Sequence, residues 1–185
     1  MEAIIFALIG VNVIAFILPT IIDFSGGRGS SNEAFLRMGW NSASDIKDGE
    51  YYRLISSMFL HGDFFHILVN MYSLYVVGFN ILEIFGSVGF FLIYLFSGIG
   101  GSIASFALHP RTPSVGASGA IFGLVGSLLA FSILSGQTGL LGNIIIIIAV
   151  NLVIGFTSGG RIDNYGHIGG LVTGTVIGLL LILGV

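Results

Sequence analysis

Along the chain, long apolar stretches alternate with short polar ones, and the apolar stretches fall near 3–22, 62–82, 88–108, 118–134, 140–157 and 167–185. Each approaches the roughly 20 residues with which a helix crosses about 30 Å of hydrocarbon. The pattern therefore predicts an all-α polytopic membrane protein with six spanning helices. Only one connection is long, 23–61, and it holds Gly26-Gly27, the sole Trp40 and most of the charge. Its segments AFLRMGW and YYRLISSMFL are amphipathic, so it is expected to form short helices at the membrane interface rather than a soluble domain. The first apolar stretch follows Glu2 instead of a basic segment and has no small-residue cleavage site after it. It is expected to stay as a helix, and residues 1–185 to form a single domain.

Composition agrees with this reading and removes several function classes. Of the 185 residues 55% are hydrophobic and 8% charged, with a mean hydropathy of +1.03, against about 25% charged in ordinary soluble domains. No cysteine is present, which excludes a thiol nucleophile and a cysteine-based metal site. The formal charge of −3 comes with no Lys/Arg cluster, so nucleic acid is not an expected partner. The lipid bilayer is the expected surrounding, and no cofactor is implied.

Parity then groups the polar residues. With six spans, helices two, four and six begin on the same membrane face. Helix two opens with HGDFFHILVN (His61, His66, Asn70), helix four with Ser118, and helix six with NYGHIGG, containing His167. His66 and Asn70 are four apart and share a helix face. Polar groups inside a span usually face the protein interior or a water-filled cavity, so one shared cavity is the economical arrangement.

Small residues predict which helices touch. Gly166, Gly170, Gly174 and Gly178 recur every fourth position in helix six, and Gly119, Gly123 and Ser127 do so in helix four. Such stripes let backbones approach closely. His167 and Ser118 adjoin these stripes, so their contact would bring an imidazole near a hydroxyl. A serine becomes a useful nucleophile when an adjacent base takes its proton. Asn70, His66 and the Ser118 backbone N–H are candidate donors for an oxyanion, and Gly116 would admit a backbone without a side-chain clash. Each residue also has a plainer role open to it: Ser118 in helix packing, His167 as a hydrogen-bonded structural group, Asn70 joining helices. His61 is expected to be structural, His109 to lie in a loop, and Asp163 offers a possible third triad member.

The His61…His66…Asn70 spacing, the Gly116-Ala-Ser118-Gly119 turn and the Gly166-His167-Ile-Gly-Gly170 helix resemble the rhomboid intramembrane serine proteases, along essentially the whole chain. The resemblance implies a six-helix rhomboid bundle with a first loop partly embedded in the membrane. It assigns Ser118 as nucleophile, His167 as general base, and Asn70 and His66 as oxyanion donors. Gly116 and Gly119 belong to the same turn, and Phe122 matches an aromatic position that stacks on the catalytic histidine. It also implies transmembrane-helix substrates, no metal or cofactor, and residence as a multi-pass protein in a prokaryotic cell membrane. Two departures touch structural positions: Tyr52-Arg53 stands where many members have Trp-Arg, and the Glu83…Gly86 spacing is one residue short.

Other chemistries have less support. No His-Glu-x-x-His motif is present, and a site built from His66, His109 and His167 would lack a metal-binding motif. A transporter would be expected to carry broken helices in two matching halves, and a non-catalytic relative to have lost Ser118 or His167. Orientation divides the indications. Arg28, Arg37, Lys47, Arg53, Arg111 and Arg161 all lie in loops one, three and five, which charge counting places in the cytoplasm; the resemblance implies the reverse and is followed here. Helix five carries Ile144 to Ile148 where its neighbours carry glycine, so it is expected to interlock least and to act as the gate for substrate, and trimming Ile145 or Ile148 to alanine is expected to raise cleavage.

Overall fold

The computed structural model describes residues 2–26, 31–109, 111–159 and 162–184. Gly27, Arg28 and Arg161, which enter the loop and charge readings above, lie outside the described residues, as does Val185 at the expected end of helix six. The elements of the described chain are helices: α1 (Ala3–Gly26), α2 (Ser31–Met38), α3 (Ala43–Lys47), α4 (Arg53–Ser56) with a 3₁₀ turn after it, α5 (Phe64–Leu108), α6 (Ser118–Ser135), α7 (Thr138–Thr157) and α8 (Asn164–Leu183). Four of these, α5 to α8, are long and apolar enough to cross a membrane, and α1 is apolar over Ala3–Leu18. The connection between α1 and α5 forms three short helices, as its amphipathic segments predict.

Helix α5 is 45 residues long but is interrupted at Gly86, with φ 66° and ψ −178°. An L-residue rarely adopts that φ, and glycine does so without steric cost. The chain turns back there: a Cβ at Gly78, before the break, would lie 3.3 Å from the Phe90 ring, after it. Where the sequence predicts two spans separated by a loop near 83–87, one glycine makes the reversal.

Helices α6 and α8 pack along their small-residue stripes. A Cβ at Gly170 would fall on the Gly119 carbonyl, one at Gly174 on the Gly123 carbonyl, and one at Gly178 at 2.8 Å from Ser127 Cα. These pairs advance in step, so α6 and α8 run parallel and begin at the same end of the bundle. The second half of α5 runs antiparallel to α8, with Gly89 beside Leu181 and Gly101 beside the Gly166 carbonyl. Around this three-way contact a core forms from Ile5, Leu74, Ile81, Phe90, Ile93, Tyr94 and Leu124. The outer surface is apolar as well, with Phe65, Tyr72, Val88, Ile146 and Phe156 exposed, which suits a molecule whose flanks meet hydrocarbon rather than water.

Helix α7 differs from the expectation in detail. Of its isoleucine run, Ile144 is buried, Ile148 is half-buried against the core, and Ile145, Ile146 and Ile147 face outward. Ile145 is therefore a surface residue, and trimming it removes no contact with the bundle. Five consecutive residues span more than a full helical turn, so only one or two of them can share the inward face.

Candidate active site

The turn before α6 is shaped by Gly116, whose φ of +128° is in the range that favours glycine. Its N–H donates to the Ser57 carbonyl at 2.9 Å. A Cβ there would lie 2.8 Å from His66 Nε2 and 3.7 Å from Asn70 Nδ2. The imidazole and carboxamide from α5 thus overhang a backbone kept bare of side chain. Asp63 starts α5 by accepting the His66 N–H at 2.8 Å, and one turn later Asn70 is on the same face and buried. Helix α6 begins at Ser118 with no side-chain cap. Its first-turn N–H groups have no intrahelical acceptor, and at a helix start they favour negative charge.

Helix α8 brings His167 to this end of the bundle. Asp163 caps it, accepting the Gly166 N–H at 2.9 Å, while the His167 N–H donates to the Asp163 carbonyl at 3.0 Å. The His167 imidazole is buried and lies flat on the Phe122 ring of α6, with centroids 4.2 Å apart and planes 8° apart. Its Nδ1 has no hydrogen-bond partner, so stacking and glycine packing hold the ring, and among the described residues no carboxylate bonds to it. No hydrogen bond joins Ser118 to His167 among these residues either. Catalytic hydrogen bonds are often long without substrate and tighten when it binds.

All these groups face one space. A cavity of about 550 Å³ is lined by Ser118, His167, His66, Asn70 and Phe122, and it extends to Asn151 on α7. The expected pocket shared by helices two, four and six is therefore present. His109, the C-cap of α5, also borders it and packs against Tyr165 at 5.7 Å. Among the described residues no three His, Asp or Glu side chains gather as a metal site.

The description Rhomboid domain matches residues 48–184. The chain belongs to the rhomboid family. It is 43% identical over 157 residues to the rhomboid protease GluP of Bacillus subtilis, covering 83% of this chain and 30% of that protein. It is 36% identical over 165 residues to RHOMBOID-like protein 6, mitochondrial, of Arabidopsis thaliana, covering 86% of this chain and 52% of that one. With rhomboid-like protease 1 of Toxoplasma gondii it shares 30% identity over 187 residues, covering 97% and 64% respectively. The chain thus covers less than two thirds of the length of each of these curated relatives.

In this rhomboid chain the loop before α5 supports the site through residues that hydropathy does not single out. Asn41 pairs its backbone with Ser114 in both directions, at 3.0 and 3.1 Å, and its Nδ2 donates to the Ser102 carbonyl at 2.8 Å. Together with the bond from Gly116 to Ser57, this straps the segment leading to Ser118 onto the interfacial loop. That loop is in turn organised around the buried Arg53, which pairs with Glu50 at 2.6 Å and Asp45 at 3.3 Å and donates to the Leu36 and Trp40 carbonyls. His61 is fully buried and sits edge-on to His66, with centroids 5.0 Å apart. Burial, with a smaller contribution from His66, pushes its pKa down to about 4, so it is neutral near pH 7.

Proposed function

We propose that this rhomboid is an intramembrane serine endopeptidase that cleaves transmembrane-helix substrates through a Ser118–His167 dyad. Ser118 Oγ attacks the scissile carbonyl carbon while His167 takes its proton. The carbonyl oxygen becomes an oxyanion, received by Asn70, His66 and the Ser118 N–H beside the bare Gly116 backbone. Collapse of this intermediate breaks the C–N bond, and His167 returns the proton to the leaving amine. A water, deprotonated by the same imidazole, then hydrolyses the acyl-serine and restores both residues. In this reading α1, the two halves of α5, and α6, α7 and α8 supply six spans of a single domain.

The observation that carries the proposal is the convergence of Ser118, the stacked His167, and the donors His66 and Asn70 on one cavity. Packing alone does not require a hydroxyl, an imidazole and two donors around one space. The reading uses no third carboxylate, since Asp163 is engaged as the α8 cap. The test is cleavage of a reconstituted single-span substrate by wild type and by Ser118→Ala. Cleavage by wild type and none by the variant is expected; equal cleavage by both refutes the mechanism.

A further inference from the structure

Among the described residues, helix α7 contributes one side chain to the cavity wall, and that side chain is polar. From Ile144 to Phe156 the helix reads IIIIIAVNLVIGF, in which Asn151 alone has a side chain able to hydrogen-bond. Leu140 and Ile148 pack against the core, and Ile144 and Gly155 are buried. At about 100° per residue these four share one helix face with Asn151. Asn151 is nevertheless exposed, because at its level the inward face of α7 meets the cavity instead of another helix. The α5 wall of the same cavity carries His66, Asn70 and Ser73, spaced four and three apart and so on one face.

The depth of Asn151 follows from its neighbour. Asn164, the first residue of α8, donates from Nδ2 to the Leu152 carbonyl at 2.9 Å. That bond sets Leu152 level with the start of α8, and His167 follows three residues on, about 4.5 Å along the axis. Asn151 therefore faces the cavity within about one helical turn of the depth of the dyad. One N–H of its carboxamide donates to the Ile147 carbonyl at 2.8 Å. Exposed Asn80 makes the same bond to Val76, so this contact is only how an asparagine settles in a helix. What sets Asn151 apart is its place: a second N–H and the Oδ1 remain, on the face that looks into the cavity. One donor and one acceptor side by side complement an amide.

We infer that Asn151 is a substrate-binding residue that takes an amide group of the segment opened for cleavage, through its remaining N–H and Oδ1. A helix opened to present its scissile carbonyl loses the internal partners of its peptide groups, and an unpaired peptide group away from water is costly. Ser118, His66 and Asn70 receive the reacting carbonyl, and Asn151 receives an amide on the α7 side of the same segment. An Asn or Gln side chain of the substrate carries the same chemistry as its backbone. The inference deepens the protease reading and rests on it for what the bound segment is, while binding itself is measured without cleavage.

The test is affinity in the full-length Ser118→Ala protein reconstituted in liposomes, titrated with fluorescent single-span peptides and read by energy transfer. A parent peptide has leucines around a central Gly pair, and each relative carries one Asn in place of a successive leucine. Asn151→Leu in this background should weaken binding about fivefold, the loss of one net hydrogen bond. Equal weakening for the parent and every relative assigns the backbone amide, and weakening confined to peptides with Asn at one position assigns the side chain. In the active protein kcat/KM for transmembrane cleavage, normalised to the rate of reaction with a small fluorophosphonate, should fall by the same factor. The melting temperature should not fall, since Asn151 meets the cavity and not a helix; Asn151→Ala provides the same comparison should the leucine variant not fold. Unchanged affinity for all peptides in a folded variant overturns the inference, as does weaker binding accompanied by a lowered melting temperature, which would assign Asn151 to packing. Absence of cleavage by wild type would refute the protease reading and leave the affinity result standing.

Discussion

Phe122 and His167 lie face to face, 4.2 Å between ring centroids and 8° from parallel, and this pair joins α6 to α8 beside Ser118. Stacking fixes the imidazole plane where no carboxylate does. A stacked aromatic pair contributes about 0.5–1.5 kcal/mol beyond its area. Phe122→Leu should therefore lower kcat about three- to tenfold and leave KM for a transmembrane substrate nearly unchanged. Unaltered kcat in steady-state cleavage assays would show that the ring position does not depend on the stack.

The overhang of His66 and Asn70 above Gly116 makes a graded prediction. Asn70→Ala should reduce turnover on the order of 10²–10³-fold, as removal of a principal oxyanion donor does. His66→Ala should be milder, because Asn70 and the backbone N–H groups remain. Gly116→Ala should be severe, since it combines an unfavourable φ with a Cβ 2.8 Å from His66 Nε2. Wild-type turnover in Asn70→Ala, together with a lowered melting temperature, would reassign that residue to helix packing.

The inward and outward isoleucines of α7 should behave differently. Ile148→Ala removes a half-buried contact with the core and should raise cleavage of transmembrane substrates, whereas Ile145→Ala should change nothing. Equal effects of the two, in rates normalised to the fluorophosphonate reaction, would rule out α7 packing as the control on access.

These contrasts show what the sequence could and could not reveal. Ser118, His167, His66 and Asn70 were legible because apolar spans make a polar residue conspicuous and span parity assigns its depth. The glycine stripes likewise gave the α6–α8 contact, since four-residue spacing defines a helix face. Ile144 to Ile148 carry no contrast, so nothing in the run indicates which residue points inward. Gly86 resembles many other glycines, and its φ of 66° is a property of the folded backbone. Asn41 and Asn164 act through carbonyls 61 and 12 residues away, and such pairings depend on how the elements meet.

His61 links stability to pH. Its folded pKa, about 4, is below the ordinary value of 6.5, so protonation favours the unfolded chain. The stabilising contribution is complete above about pH 6.5 and is lost as pH falls toward 4. Thermal melts in detergent should show a decline across that window, and His61→Phe should make the decline shallower. An identical slope in the variant would mean that His61 does not carry the effect.

The central claim is that Ser118 is a nucleophile activated by His167, and covalent labelling measures this most directly. Intact protein is incubated with a fluorophosphonate and the modified peptide identified by mass spectrometry. One phosphonyl group on Ser118 in wild type, none in Ser118→Ala, and labelling slowed at least about 10³-fold in His167→Ala, by analogy with other serine–histidine pairs, is the predicted result. Modification at another residue, or undiminished labelling of Ser118 in His167→Ala, would contradict it.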